Sequence, residues 1–373
     1  MHTHTLQQAS RSNRKASKLH AFETNDNCNP FEEETNEPID PNNESTMTTR
    51  RGALKQAFVT ASITLSTSSY ILTQHQQLPA IAADADTTTN NISSSSMPGT
   101  SPDAPICILG ASGRTGMAVA ETLTKAGMYA CTMTRSGSDP FQIIKLPPDA
   151  KAKLQHYATS GVDVRNSDAV LAALRNANAS GVIFAASASK QGGSARDVDS
   201  AGVANVATAV KQLLNNNNNN KNNNKQCKLV VISALALDRP ESKGYKVTNS
   251  MGGYVDKIMD YKLEGEQAVR SALGRGSGNY VIVRPGVLLS GKTRNGAADI
   301  EVNQGDMIGG GLSRDELAGV CVGAMMSEAA RGVTVEAYRK STRTKLQPEF
   351  DNLSGNERSA ESYAALFSNA SRD

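Results

Sequence analysis

Gly110, Gly113 and Gly116 punctuate the run Ile106-Cys-Ile-Leu-Gly-Ala-Ser-Gly-Arg-Thr-Gly-Met117 at GxxGxxG spacing. The residues before them read as a short apolar strand. Those after them read as an amphipathic helix, with Val119, Leu123 and Ala126 at helical spacing and Gly127 able to end the last turn. Such a corner suits a dinucleotide. The first glycine allows the tight turn, the second lets backbone approach a pyrophosphate, and the third lets helix pack close to strand. Free N–H groups at the helix start would meet the phosphates, with Ser112, Arg114 and Thr115 as the neighbouring side chains. The alternative is a structural glycine turn with no nucleotide.

The segment from Tyr129 to Thr134 reads as the next strand, and the residues at its carboxyl end bear on the kind of nucleotide. A free ribose 2′-hydroxyl usually meets an acid there, whereas a 2′-phosphate wants positive charge. This chain has Thr134-Arg135-Ser136-Gly137 and no acid until Asp139. Arg135 stands about twenty residues past the last glycine, at the offset of the ribose contact. With Arg114 it can supply charge-assisted, bidentate bonds to a phosphate, which favours NADP(H). The alternative for each is a solvated surface arginine.

These residues need a scaffold, and from Pro105 the chain alternates strand and helix patterns. Candidate strands are Pro105 to Leu109, Tyr129 to Thr134, Val162 to Val164, Gly181 to Ala186, Lys228 to Ser233, Tyr280 to Arg284, and a last one at Val333 to Ala337. Runs such as Leu229-Val-Val-Ile232 suit a parallel sheet covered on both faces. The expected fold is α/β: a doubly wound parallel sheet (Rossmann fold) in three αβα layers. The chain divides into three regions: a leader and linker over 1–103, the nucleotide-binding domain over 104–338, and a polar tail over 339–373 in which Tyr363, Leu366 and Phe367 can dock as one short helix. The asparagine-rich stretch 215–226 reads as a disordered insertion, since it has nothing to bury. Ser313-Arg-Asp-Glu316 is a capping box opening a helix that Gly332 can end.

Composition excludes several classes. A net charge of +3, 20% charged residues, no Trp and 4% aromatics argue against a nucleic-acid partner. The five cysteines form no CxxC, and Cys107, Cys131 and Cys227 fall in apolar strands as core thiols. Of the histidines only His156 lies beyond the leader, so no histidine metal site or triad is expected. Met1 to Phe22 carries Arg11, Arg14, Lys15 and Lys18 with no acid before Glu23, the composition of an organelle transit peptide. Arg50-Arg51, a mildly apolar stretch from Ala57 to Leu65 and Ala80-Ile81-Ala82 resemble a twin-arginine export signal. The two in series would address the protein to a chloroplast and then the thylakoid lumen, where it could associate with the membrane. A disordered extension with two chance arginines is the alternative.

Between Pro105 and about Tyr338 the chain resembles the atypical short-chain dehydrogenase/reductases, in the group with NmrA-like, flavin-reductase-like and plant chloroplast members. The resemblance is carried by Gly110-Ala-Ser-Gly-Arg-Thr-Gly116, Val182-Ile-Phe-Ala-Ala-Ser187, Asp199-Ser-Ala-Gly-Val-Ala-Asn205, Val230-Val-Ile-Ser233, Tyr261-Lys-Leu-Glu-Gly-Glu266 and Val283-Arg-Pro-Gly286. It implies an adenine contact at Asp163 and Val164, a cofactor wall at Ala185, Ala186 and Ser187, and Pro285 and Gly286 beside the nicotinamide. It also implies that Lys262 holds the nicotinamide ribose and that Ser233 is the strand-end serine. The usual tyrosine four residues before a lysine is missing: Ile258 stands four after Tyr254, and Tyr261 directly precedes Lys262. Adjacent helical residues point about 100° apart, so Tyr261 and Lys262 cannot both face the nicotinamide in the standard way. The bland alternatives are an exposed Lys262–Glu266 ion pair and a Ser233 hydroxyl bonded to backbone. The leading function is an NADP(H)-dependent reductase of a small carbonyl or quinone-like acceptor. Its rival is a non-catalytic NADP(H)-binding redox sensor or assembly protein, with an epimerase or dehydratase as a third reading.

Overall fold

The computed structural model describes residues 97–142, 146–157, 161–218, 226–276, 278–291, 296–346 and 358–373, all within the compact unit Thr87–Asp373. The leader before residue 97 and most of the asparagine tract lie outside the described residues.

Ile106–Leu109, apolar at every position and fully buried, forms β1. The chain continues through α1 (Arg114–Lys125), β2 (Ala130–Met133), α2 (Pro148–Ala152), β3 (Leu154–His156), α3 (Ser167–Asn176), β4 (Gly181–Phe184), α4 (Val203–Asn218), β5 (Lys228–Ile232), α5 (Lys243–Asn249), α6 (Ile258–Leu273) and β6 (Tyr280–Pro285). It then adds β7 (Val287–Leu289), β8 (Ile300–Asn303), β9 (Ile308–Gly309), β10 (Gly311–Ser313), α7 (Arg314–Met326), β11 (Val333–Arg339) and β12 (Thr344–Lys345).

Eight strands make one sheet in the order β3-β2-β1-β4-β5-β6-β11-β8. All neighbours are parallel except β11 and β8. Alternate residues of each central strand enter two separate cores. Ile106, Ile108, Ile183, Val230 and Val281 pack with Val119 and Leu123 of α1 and Leu317 and Val320 of α7. Cys107, Leu109, Val182, Leu229 and Ile282 pack with Leu174 of α3, Val206 of α4 and Val269 of α6. This is the doubly wound, three-layer Rossmann fold, and it explains why the central strands are apolar without alternation.

Strand order reverses between β1 and β4, and the register brings three strand ends level there. Leu109 lies beside Met133 of β2 and Phe184 of β4. Ala111 N–H then donates to the Met133 carbonyl at 3.3 Å and Ala185 N–H to the Leu109 carbonyl at 2.9 Å. A crevice outside the carboxyl ends of strands at such a switch point is where this fold takes ligands.

Several expectations need correction. The third strand is Leu154–His156, not Val162–Val164. As an edge strand it is only half buried and carries no apolar run, whereas Val162 and Val164 are apolar because they are buried loop residues in the second core. Val162 N–H also closes the loop onto the Thr134 carbonyl at 2.9 Å. The last strand of the sheet is antiparallel, an addition at the open edge. α4 runs through Asn215 to Asn218, so the asparagine tract begins inside a helix. The Ser313–Glu316 capping box forms as expected, but α7 ends at Met326; Gly332, at φ +61°, instead turns the chain into β11. In the tail, Ala365–Phe367 makes a single 3-10 turn with Leu366 and Phe367 buried. No helix among the described residues is long and apolar enough to cross a membrane.

Candidate coenzyme cleft

The turn after β1 is made by backbone alone. Gly110 has φ +82°, and a Cβ there would lie 2.6 Å from the Ala186 nitrogen. A Cβ on Gly116 would lie 2.3 Å from the Gly110 carbonyl oxygen. Both positions therefore exclude any side chain, the first by turn geometry as well as by β4, the third by helix-to-strand contact. Gly113 differs. Its Cβ would meet only the Gly110 carbonyl oxygen, at 3.3 Å, a tight contact that a shift of a few tenths of an ångström relieves, so a side chain is not barred here as it is at the other two. Gly113 is also the N-cap of α1, with no side-chain cap and no acid in the first turn. The helix's first N–H groups are thus left for an anion, as a diphosphate requires.

In front of this turn lies a cleft of about 270 Å³. Gly110, Ser112, Gly113, Arg135, Asp163, Val164, Ala185, Ala186 and Ser187 all line it, together with Val162, Ser189, Gln191, Gly192 and Val198. Residues more than seventy positions apart in the chain are thus gathered round one space. Arg114, Thr115 and Gly116 belong to the first turn of α1 behind that wall. Pro285 and Gly286 stand at the end of β6, where the Pro285 carbonyl accepts from Leu235 N–H at 3.2 Å and Gly286 N–H donates to Ala337. They line a different part of the strand-end surface from the cleft.

Arg135 is exposed on the cleft wall. Among the described residues Asp163 is the one acid lining the cleft, and its carboxylate is engaged: Arg165 Nε donates to Oδ1 at 2.9 Å and Arg165 Nη2 to Oδ2 at 2.5 Å. The bonds from Arg165 hold Asp163 below the usual carboxylate range. Arg165, which no sequence motif singles out, neutralises the acid and leaves Arg135 as the cation of this wall.

Lys262 is not an exposed partner of Glu266. Its Nζ donates to Asp199 Oδ1 at 2.7 Å, with the Asp199 side chain 1% exposed. The same Oδ1 accepts from the Ser187 hydroxyl and Oδ2 from Ala188 N–H, each at 2.8 Å. Asp199 sits in a π-helical turn, Arg196–Gly202, that feeds α4. Gly265, almost one turn beyond Lys262, brings α6 against this turn: a Cβ there would lie 2.2 Å from the Asp199 carbonyl oxygen. The close approach fixes Lys262 on Asp199, and Ser187 links the pair to the cleft wall. Glu266 faces elsewhere and accepts from Arg284 Nη2 at 2.7 Å. Asp199 is the functional candidate that sequence reasoning passed over as an individual residue. Its signal was its place at the head of the run Asp199 to Asn205, an acid just before an apolar helix.

Ser233 ends β5 nearly buried, and its hydroxyl has no hydrogen-bond partner. The hydroxyl is therefore not bonded to backbone as the alternative had it; the Ser233 N–H donates to the Val283 carbonyl at 2.8 Å. Tyr261 is half buried on α6. A second tyrosine, Tyr245 of α5, is buried and hydrogen-bonded to Asp260. Burial and that bond push its phenol up to about 12, so it is a poor proton donor at neutral pH.

A family model described as NAD(P)H-binding matches residues 110–328, from the first glycine of the turn to just past α7. The chain belongs to this NAD(P)H-binding family. The atypical short-chain dehydrogenase/reductase resemblance agrees with it, and the ligand class is a nicotinamide coenzyme. Among solved structures the chain is similar to the oxidoreductase ylbE from Lactococcus lactis, at 15% identity and TM-score 0.46, covering 64% of this chain and 92% of that one. It is similar to a Bacillus halodurans protein described as an NAD-dependent epimerase/dehydratase, at 17% identity and TM-score 0.45, covering 64% and 95%. The enzyme WbmG of Bordetella bronchiseptica, in complex with NAD and UDP, is similar at 15% identity and TM-score 0.42, covering 65% and 74%. Similarity at this level carries no functional information. No curated protein matches the chain.

Proposed function

We propose that the glycine cleft takes NADP(H) and that the protein is an NADP(H)-dependent reductase of a small carbonyl or quinone-like acceptor. The observation that carries the coenzyme preference is Arg135 on the cleft wall while the lining acid, Asp163, is tied to Arg165. A 2′-phosphate gains a charge-assisted partner there, and a bare 2′-hydroxyl meets no free carboxylate among the described lining residues. The bound nicotinamide supplies the hydride chemistry. The chain's own groups position and protonate. Asp199 holds Lys262 beside Ser187 for the ribose, and the proton for the acceptor oxygen comes from water or from the Ser233 hydroxyl, which has no hydrogen-bond partner within the fold. An apolar acceptor is supported by the exposed Val247, Met251, Tyr254 and Val287, which come from the segments following β5 and β6.

Calorimetry with NADPH and NADH, beside coenzyme oxidation against a panel of quinones and aldehydes, tests this reading. Tighter binding of NADPH with turnover on at least one acceptor supports it. Equal affinity for both coenzymes removes the Arg135 argument, and absence of turnover removes the reductase. The missing tyrosine–lysine dyad and the engagement of Lys262 by Asp199 favour the second reading, an NADP(H)-binding redox sensor or assembly protein; its signature is thermal stabilisation by NADPH without turnover. We also propose delivery to the chloroplast, with export to the thylakoid lumen. N-terminal sequencing of the native protein should then find a start near Ala80 to Asp86, and a chain beginning at Met1 would refute it.

A further inference from the structure

β6 and β11 have an apolar face and a polar one. Val281, Val283, Val333, Val335 and Ala337 enter the first core, while Arg284, Thr334 and Glu336 turn the other way and are still buried, at 2%, 8% and 1% exposure. In a sheet covered on both faces, the positions opposite a core are normally apolar as well, because burying polar groups costs stability. Here the polar side opens onto a cleft of about 350 Å³. It shares no lining residue with the coenzyme cleft.

α6 separates the two spaces. Leu263, Gln267 and Arg270 form the stripe facing this second cleft, about 100° round from the stripe of Lys262. The floor is an ion-pair lattice. Arg284 bonds Glu266 at 2.7 Å and Asp238 at 2.6 Å, and Arg270 bonds Glu266 at 3.1 Å and Asp373 at 2.9 Å. The lattice saturates those cations. Glu336 Oε2, buried in the same wall, has no hydrogen-bond partner, while its Oε1 lies 3.8 Å from Arg284 Nη1; burial together with Asp306 pushes this carboxyl up to about 8. Arg275 and Arg372 line the cleft from exposed positions, with no hydrogen bond or ion pair among the described residues. The unpaired charges of the described lining are therefore cationic; the Gln304 amide is bonded to Thr334 and Ser371 and the Thr334 hydroxyl to Arg270 and Asp373, which leaves Gln267 as the uncharged polar group of the wall open to a ligand.

We propose that this cleft is a second ligand site, taking a small organic anion whose carboxylate or phosphate sits between Arg275 and Arg372 and which has a polar group that reaches Gln267. Two guanidiniums without a partner among the described residues select an oxyanion, and a wall of charged and polar side chains disfavours an apolar molecule. The volume of about 350 Å³ has room for a metabolite of small size.

The test is isothermal titration of the full chain with citrate, glucose 6-phosphate and inorganic phosphate at ionic strength held constant with potassium chloride. The expected result is saturable binding of citrate or glucose 6-phosphate, unchanged when NADPH is already bound. The Arg275→Ser/Arg372→Ser double variant alters only exposed side chains; it should weaken that binding about tenfold or more and leave NADPH affinity within about twofold. Glu336→Gln, which keeps the uncharged form, should bind as the parent does. Failure of all three probes to bind overturns the proposal. So does binding that NADPH displaces, which would put the anion in the coenzyme cleft, or binding that the double variant leaves intact.

Discussion

The coenzyme cleft and the cleft beside α6 are built by opposite means. The first is a turn of glycines and small residues whose donors are backbone N–H groups, with Gly110 and Gly116 excluded from carrying any side chain by distances of 2.6 and 2.3 Å. The second is a lattice of charged side chains drawn from β6, α6, β11 and the C-terminal tail, with Arg284 and Glu266 buried at 2% and 1% exposure. A turn built from backbone tolerates almost no added volume, but the turn itself buries no charge that could be stranded. A side-chain site has room, yet each charge depends on its partners, since a buried pair broken on one side leaves an uncompensated ion.

The sharpest way to break this comparison is at the glycines. Gly110→Val should cost about 3 kcal/mol or more, because it forces a β-branched residue to positive φ and into β4, and chemical denaturation will read the loss. Gly113→Ala should instead leave the unfolding midpoint nearly unchanged and weaken coenzyme binding about tenfold. If Gly113→Ala unfolds the protein as readily as Gly110→Val, the middle glycine serves packing and not a ligand.

Next in size is the buried ion pair beside the coenzyme cleft. Asp199→Ala leaves Lys262 without its buried partner and should destabilise the fold by about 3–5 kcal/mol, with Asp199→Asn milder because its amide oxygen still accepts. A small effect of Asp199→Ala, measured by urea unfolding, would mean that Lys262 swings out to solvent. Arg135→Ala touches the ligand and not the scaffold. We expect NADPH affinity to fall about 10- to 100-fold with NADH nearly unaffected, and equal loss of both would mean that Arg135 does not read the 2′ position.

The smallest effect belongs to Glu336. Its folded carboxyl is raised to about 8 from 4.5. Below the lower value both folded and unfolded forms are protonated; between the two the unfolded chain ionises first, so this group's contribution to stability is lost as pH rises. The melting temperature should therefore decline from about pH 5 to pH 8 by a few degrees more in the parent than in Glu336→Gln. Parallel profiles would show that the carboxyl is ionised in the fold.

The difference between the clefts is also a difference in legibility. The glycine turn and the strand-end residues meet around the coenzyme cleft because such features are local: Gly110 to Gly116 needs only its flanking strand and helix to declare itself. Val162–Val164 misled because burial in a loop and burial in a strand leave the same apolar trace, while the real edge strand, Leu154–His156, is too exposed to show one. Lys262 was legible as a residue of interest but not its partner, since Asp199 lies 63 positions away.

The amino-acid sequence alone determined the doubly wound sheet, the nucleotide turn and the capping box of α7, all of which arise from periodicity, backbone conformation and hydrogen bonding within a few residues. Only the tertiary structure decided that Asp199 holds Lys262 and that Arg284, Glu266 and Asp373 share one buried lattice. Those outcomes depend on which helix face approaches which strand to within a few ångströms. Charge pairing acts through space, and no spacing along the chain records it.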